Sequence, residues 1–338
     1  MEDETPVKQD DIKEIFPSIR EAKAEKIKKI MNSLSEGQFL DLLQSLRVQT
    51  DIKFGKNVKT YVPGDAFPAI STTATRCELN CAHCNHKYLA GMIPAENPIE
   101  LKQQLFKIAN QNNIGALISG GSTKEGVVNL SEFFNVLSEV KNSTSLVLNV
   151  HTGLVSQEDA LKLYKSKIDT ISLDLVGNDT TIQQIYGLNK TVHDYIDVLK
   201  GLMDAGFTNH QIIPHICIGL DRGEIKGEYH VLKYLDILDP TLIVFIIIIP
   251  PKKNTNNFKL IDPIEAGKVI AAARILYPNA EISLGCMRPG GRLRPDYDLI
   301  AFKAGATRIA VPTRSLTRYL ETHGYNINKQ ESCCAIHV

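Results

Sequence analysis

The feature that most limits how this chain folds is an alternation that begins near Phe67, in which short β-branched apolar runs are separated by amphipathic helical stretches. Eight runs stand out, at residues 69–73, 116–119, 146–151, 170–175, 212–219, 242–249, 281–285 and 308–311. Between them lie segments such as ENPIELKQQLFKIANQ, SQEDALKLYKS and DPIEAGKVIAAARILY, several opening on Ser, Asp or Thr as an N-cap. Such alternation implies parallel strands joined by right-handed crossovers. Eight units spell a (β/α)8 barrel of the triosephosphate isomerase type, an α/β fold whose chemistry sits at the carboxyl ends of its strands. A doubly wound open sheet is the runner-up, because pattern alone does not demonstrate closure.

The rest of the chain divides around that barrel. Residues 1–60 read as an N-terminal helical cap, with Ile27, Ile30 and Met31 at helical spacing in a charged segment. The barrel takes 61–325, and a polar tail over 326–338 ends in ESCCAIHV. The 338 residues suffice for one large core, and 38 Lys+Arg balance 38 Asp+Glu, so no global field draws the chain to nucleic acid or anionic lipid. The opening is acidic and polar, unlike a secretory signal, so the expected location is the cytoplasm. The longest apolar run, 242–249, is far short of the ~20 residues that span a bilayer, and reads as a buried strand.

The first barrel strand leads into TRCELNCAHCNHKY, with Cys77, Cys81 and Cys84 in C-x3-C-x2-C spacing. Thiolates are soft ligands that suit iron–sulfur clusters, zinc or Cu(I). Three ligands on a four-iron cluster leave one iron open, whereas structural zinc wants a fourth ligand, for which His83 and His86 are at hand. Structural thiols gathered by chance are the bland alternative.

The spacing is that of the radical S-adenosylmethionine (SAM) superfamily, which the chain resembles in several further segments. The resemblance implies a [4Fe–4S] cluster on Cys77, Cys81 and Cys84, with SAM bound to the open iron and cleaved to a 5′-deoxyadenosyl radical. In ISGGS, Gly120, Gly121 and Ser122 resemble the segment that approaches the SAM amino group, although an ordinary β–α turn reads the same. By the same resemblance Asp174 is a ribose candidate, Asn149 and His151 are further SAM contacts, and His83 stands where the family often has an aromatic near the adenine. Each strand-end polar residue taken alone is as readily a cap for the next helix.

The run YGLNKT and the segments HICIGLDRGEIKGE and ISLGCMRPGGRLR resemble the biotin synthase branch. Cys217 matches a cysteine that there ligates a second, sulfur-donating cluster, and Cys286 replaces an unusual arginine ligand. The branch's other two cysteines have no counterpart, since the second strand ends in Ser119 and the third in Asn149 and His151. Cys217, Cys286, Cys333 and Cys334 are therefore expected to hold a rebuilt auxiliary iron–sulfur cluster, with Ser332 or His337 able to replace one thiol. Burial as a small hydrophobe is the plain alternative for Cys217.

A biotin synthase-like barrel with a C-terminal cysteine pair most resembles one component of the two-protein lipoyl synthase. That resemblance implies sulfur insertion into a protein-bound octanoyl chain, with an octanoylated carrier protein, a second synthase component and a ferredoxin- or flavodoxin-type electron donor as partners. Lys252, Lys253 and Asn254 could greet an acidic carrier; Arg288, Arg292 and Arg294 could contact a carboxylate or pair with Asp296 and Asp298. The competing readings are biotin synthase itself, a mutase or hydrogenase-maturase type of radical SAM enzyme, and a non-enzymatic metal-binding protein.

Overall fold

The structure, a computed structural model, describes residues 24–84, 86–252 and 257–337. All eight expected runs form strands: β2 (Ala69–Ser71), β4 (Gly115–Ser119), β5 (Val147–His151), β6 (Thr170–Asp174), β7 (Ile212–Ile218), β8 (Leu242–Ile247), β9 (Glu281–Leu284) and β10 (Arg308–Ala310). Three further strands join them: β1 (Asn57–Tyr61), β3 (Ile93–Pro94) and β11 (Asn326–Gln330). Every pairing is parallel, in the order β11-β1-β10-β9-β8-β7-β6-β5-β4-β2-β3. Neighbours from β4 to β10 follow chain order without a reversal, so the winding is that of a barrel and not of a doubly wound sheet.

The sheet curls strongly. Asn149 on β5 reaches the Cys333 thiol at 3.7 Å, while Arg308 on β10 reaches the carbonyl of the next residue, Cys334, at 3.3 Å. Five strand steps of ~4.8 Å would hold those two strands ~24 Å apart in a flat sheet. The two faces divide accordingly. Outward residues such as Ile118, Val150, Ile171, Ile216, Ile243 and Phe245 are buried beneath the helices. Inward residues Tyr61, Ile213, Leu242, Val244 and Ala310 form a second, smaller core around Cys334 and Ala335. Among the described residues β3 and β11 end the sheet without pairing to each other, so the barrel is open between them.

Local sequence places the helices that cover it. Asn97, Ser156 and Asp262 accept backbone N–H bonds at 3.0, 3.1 and 2.7 Å and open the helices Pro98–Asn110, Gln157–Lys165 and Pro263–Leu276. Each cap contributes about 1 kcal/mol. In the N-terminal segment, helices Ala24–Ser33 and Glu36–Phe54 bury Ile27, Met31, Phe39 and Leu43, but β1 also falls within it and enters the sheet. Buried Arg47 fixes the second of those helices through bonds to the carbonyls of Phe302 (2.9 Å) and Ala306 (3.1 Å). The segment expected to be a free tail starts as β11, in register with β1 from Asn57↔Asn326 to Tyr61↔Gln330. Among the described residues no helix is long and apolar enough to cross a membrane.

Candidate functional site

The three-cysteine loop follows β2 at the carboxyl ends of the strands and is clamped from two sides. On one side, Ser122 donates its backbone N–H to the Cys77 thiol at 3.3 Å, and Gly121 N–H bonds Thr73 Oγ1 at 2.7 Å. A Cβ on Gly121 would stand 1.9 Å from the Arg76 carbonyl and 2.6 Å from Cys77 Cα, so only glycine lets the two backbones approach. The closest partner of the glycine segment is thus the cysteine loop itself. On the other side a π-helical turn, Ile182–Tyr186, accepts the Ala82 N–H at the Ile185 carbonyl (2.8 Å), and the Tyr186 carbonyl lies 3.8 Å from Cys81 Sγ. The Tyr186 ring meets His83 edge-on at 5.1 Å. π-turns of this kind concentrate at functional sites.

The loop's electrostatics fit a bound cationic group. Burial, then the neighbouring thiolates of Cys84 and Cys77, push the Cys81 thiol up to about 12. Burial also raises Cys84. Thiols held together with no counter-charge favour a metal centre that deprotonates them. His83 Nδ1 is buried with no partner, another donor or acceptor left unused beside the loop. Among the described residues no three Cys, His, Asp or Glu groups converge on one ion, at the loop or elsewhere. Three thiols spread along one loop suit a larger multi-iron group.

Beyond the loop, Asp174 at the end of β6 is exposed to the mouth, and its charge reaches His83, His151, His215, Tyr186 and Cys217. His151 and His215 meet edge-on at 5.7 Å, and His215 Nδ1 donates to the Ile213 carbonyl at 3.0 Å, which leaves Nε2 as an acceptor. Burial, with His151 beside it, pushes the His215 imidazole down to about 4. His215 was not singled out by sequence reasoning, although its position two residues before Cys217 on an alternating strand places both on the inner face.

A second thiol group involves the inner core. Past β11 the chain turns inward, and Cys333 and Cys334 share a hydrogen bond that lowers the first thiol and, together with burial, raises the second. Ala335 N–H and Asn149 Nδ2 also donate to Cys333 Sγ, at 3.5 and 3.7 Å. Cys286, exposed just beyond β9, is near enough for its charge to bear on both. Its segment runs beside β8 through Gly285 N–H to Phe245 O (2.7 Å) and Ile247 N–H to Met287 O (2.8 Å). Ser332 Oγ, fully buried next to the pair, has no partner.

No family model matches the sequence. The biotin synthase of Methanococcus aeolicus is 25% identical over 276 residues, covering 78% of this chain and 80% of that protein. That of Coxiella burnetii is 27% identical over 252 residues, covering 71% and 75%. Among solved structures, the FeFe-hydrogenase maturase HydG from Carboxydothermus hydrogenoformans superposes with a TM-score of 0.68 over 94% of this chain and 79% of its own, at 15% identity. Methylornithine synthase superposes with a TM-score of 0.66 over 92% and 96%, also at 15% identity. At that identity the superpositions establish the fold; the sequence relatives and the cysteine loop carry the rest. The chain is thus similar in sequence to biotin synthases and shares its fold with radical SAM proteins.

Within the barrel the expected site residues sort into two groups. Cys77, Cys81, Cys84, Gly120, Gly121, Ser122, His83, His151 and Asp174 lie at or around the loop and its adjoining wall. Cys286, Cys333 and Cys334 form the other group. Asn149, expected at SAM, is instead fully buried between Cys333 and Ser172, whose hydroxyl it accepts at 3.0 Å. Cys217 falls between the groups, and the charges that reach it are Glu228 and Asp174 and not another cysteine. His337, offered as a ligand, meets His210 edge-on at 5.5 Å beside Thr241, which precedes β8 at the opposite end of the lumen. Arg288 is not free to bind a substrate carboxylate. It is fully buried on Asp298 at 2.7 Å and bonds the Gly285 carbonyl at 2.6 Å, bracing the turn that bears Cys286. Arg294 likewise bonds the Val311 carbonyl at 3.1 Å. Lys253 and Asn254 lie outside the described residues.

Proposed function

We propose that this radical SAM enzyme inserts sulfur into an unactivated C–H bond of a protein-bound octanoyl chain, as one component of a two-protein lipoyl synthase. The observation that supports the reading is the C-terminal pair in the inner core, Cys334 buried and Cys333 packed against it, with exposed Cys286 near enough for charge to pass between it and both. When bound, a [4Fe–4S] cluster with SAM would supply a radical able to abstract hydrogen, and an auxiliary iron–sulfur cluster would supply the sulfur.

The residues take distinct parts. Cys77, Cys81 and Cys84 would hold the first cluster, Gly121 and Ser122 fix the loop, and Asp174, His151 and His83 form the wall against which SAM would lie. Cys286, Cys333 and Cys334 would hold the second cluster, with the orphaned Ser332 hydroxyl or Cys217 completing its ligands. The partners this implies are an octanoylated carrier, a second synthase component and a ferredoxin- or flavodoxin-type donor, in the cytoplasm. A biotin synthase activity is favoured by the names of the sequence relatives, but β4 ends in Ser119 and β5 carries Asn149, where that branch places cysteines.

The deciding experiment is anaerobic reconstitution followed by reaction with an octanoyl-lysyl carrier peptide, with and without a partner synthase, read by mass spectrometry. One or two added sulfurs with deoxyadenosine support the reading. Deoxyadenosine without sulfur on the octanoyl peptide, but with conversion of dethiobiotin, would move the chain to the biotin synthase alternative.

A further inference from the structure

We propose that Arg308 is the positioning residue that carries the C-terminal thiols into the lumen, anchoring the tail at two carbonyls and so setting Cys333 opposite Asn149 and beside Cys286. In its consequence for function this rests on the sulfur-donor reading above; the geometry stands without it.

After β11 the tail leaves the sheet. Its last ladder bond is Val62 N–H to the Gln330 carbonyl, at 2.9 Å. Beyond it the tail makes a turn of its own, Ile336 N–H to the Cys333 carbonyl at 3.3 Å. Among the described residues, the hydrogen bonds that join the backbone of 331–336 to the barrel all come from Arg308, whose Nη1 donates to Ile336 O at 2.6 Å and to Cys334 O at 3.3 Å. The anchored carbonyls are that of Cys334 itself and that of the residue two positions on, so the contact acts on the segment that aims the thiols.

Arg308 is suited to this and to little else. It opens β10 with 1% of its surface exposed, lies over the Tyr61 ring at 5.7 Å and turns Nη2 onto Glu281 at the start of β9. A buried guanidinium needs both its carboxylate and further acceptors to balance desolvation, and the tail carbonyls are those acceptors. Only a planar fork serves two carbonyls and a carboxylate together; an ammonium in its place would give up part of the set.

The test reads thiol accessibility in reduced, cluster-free protein by timed alkylation and mass spectrometry. In the wild type, exposed Cys286 reacts readily and buried Cys334 slowly. Arg308→Met should raise the Cys334 rate by about tenfold or more, and Arg308→Lys by less, with Cys77, Cys81 and Cys84 unchanged in both, because only the tail opens. If Arg308→Met unfolds and exposes every thiol, Arg308→Lys decides. Cys334 protected as in wild type in the folded variants, or all seven thiols released together in Arg308→Lys, overturns the proposal. Reconstitution separates the two claims. Wild type holding about four irons per chain instead of about eight removes the sulfur-donor reading, while alkylation alone judges the anchor.

Discussion

A missing Cβ sets the distance between the glycine segment and the cysteine loop. Gly121→Ala would push a methyl carbon into the Arg76 carbonyl, which is backbone and unable to rotate away. We expect that variant to lose about 1–3 kcal/mol of stability by denaturant titration and to bind less iron on the Cys77 loop. Glu281 gives a pH-dependent counterpart. Burial raises its carboxyl, but Arg308 and Lys59 outweigh that and hold it below the ordinary range. A carboxylate depressed by folding contributes stability above its unfolded value and loses it as pH falls through the folded one. The gap in unfolding midpoint between wild type and Glu281→Gln should therefore be full at about pH 7 and close below about pH 4; a gap that persists in acid would contradict the ion pair. At this scale the loop cysteines were legible because their spacing is itself the chemistry. For Arg288 the sequence left two partners open, a bound carboxylate or the aspartates that follow it, and only the fold selects Asp298.

The turn between β9 and the helix Arg294–Lys303 joins Cys286 to a buried ion pair, so two substitutions there should separate. Cys286→Ala leaves the packing intact and should preserve deoxyadenosine formation while abolishing thiolation of the octanoyl peptide; loss of both would point to a general structural role. Asp298→Ala strands the Arg288 guanidinium in a site where both partners have no exposed side-chain surface. It should cost about 3–5 kcal/mol, read from denaturant midpoints. The strands that sequence pattern revealed, β2 and β4 to β10, are those buried on both faces, whose apolar runs stand out against their flanks. β11, NINKQ, was read as tail because it is an edge strand pairing on one side only, and an edge tolerates Asn, Lys and Gln. β1 hid in a helical segment because NVKTY contributes one inward tyrosine and little continuous apolar surface.

For the molecule as a whole, the main hydrophobic core is continuous from the N-terminal helices through the barrel wall; Cys77 and Cys81 only pack against its edge, and Cys334 belongs to the smaller inner core. Chelating the metal should thus leave the far-ultraviolet circular dichroism and a cooperative unfolding transition in place; collapse of both would mean that the fold depends on its clusters. Barrel architecture and winding were readable from the spacing of eight runs, since each run must pair with the next. The open seam between β3 and β11, and the inward course of the tail, were not. Both depend on where polar residues come to rest once the sheet has curled, and a polar segment carries no periodicity to foretell it. That inward course has a practical result. With Ala335 and Ile336 buried where Arg308 holds the tail, at the amino ends of β9 and β10, the vessel has a stopper at that end, and its approaches are the carboxyl ends of the strands and the open seam. On the function proposed above, a guest tied to a bulky carrier would enter and withdraw by those approaches, and would reach only as deep as its own length allows.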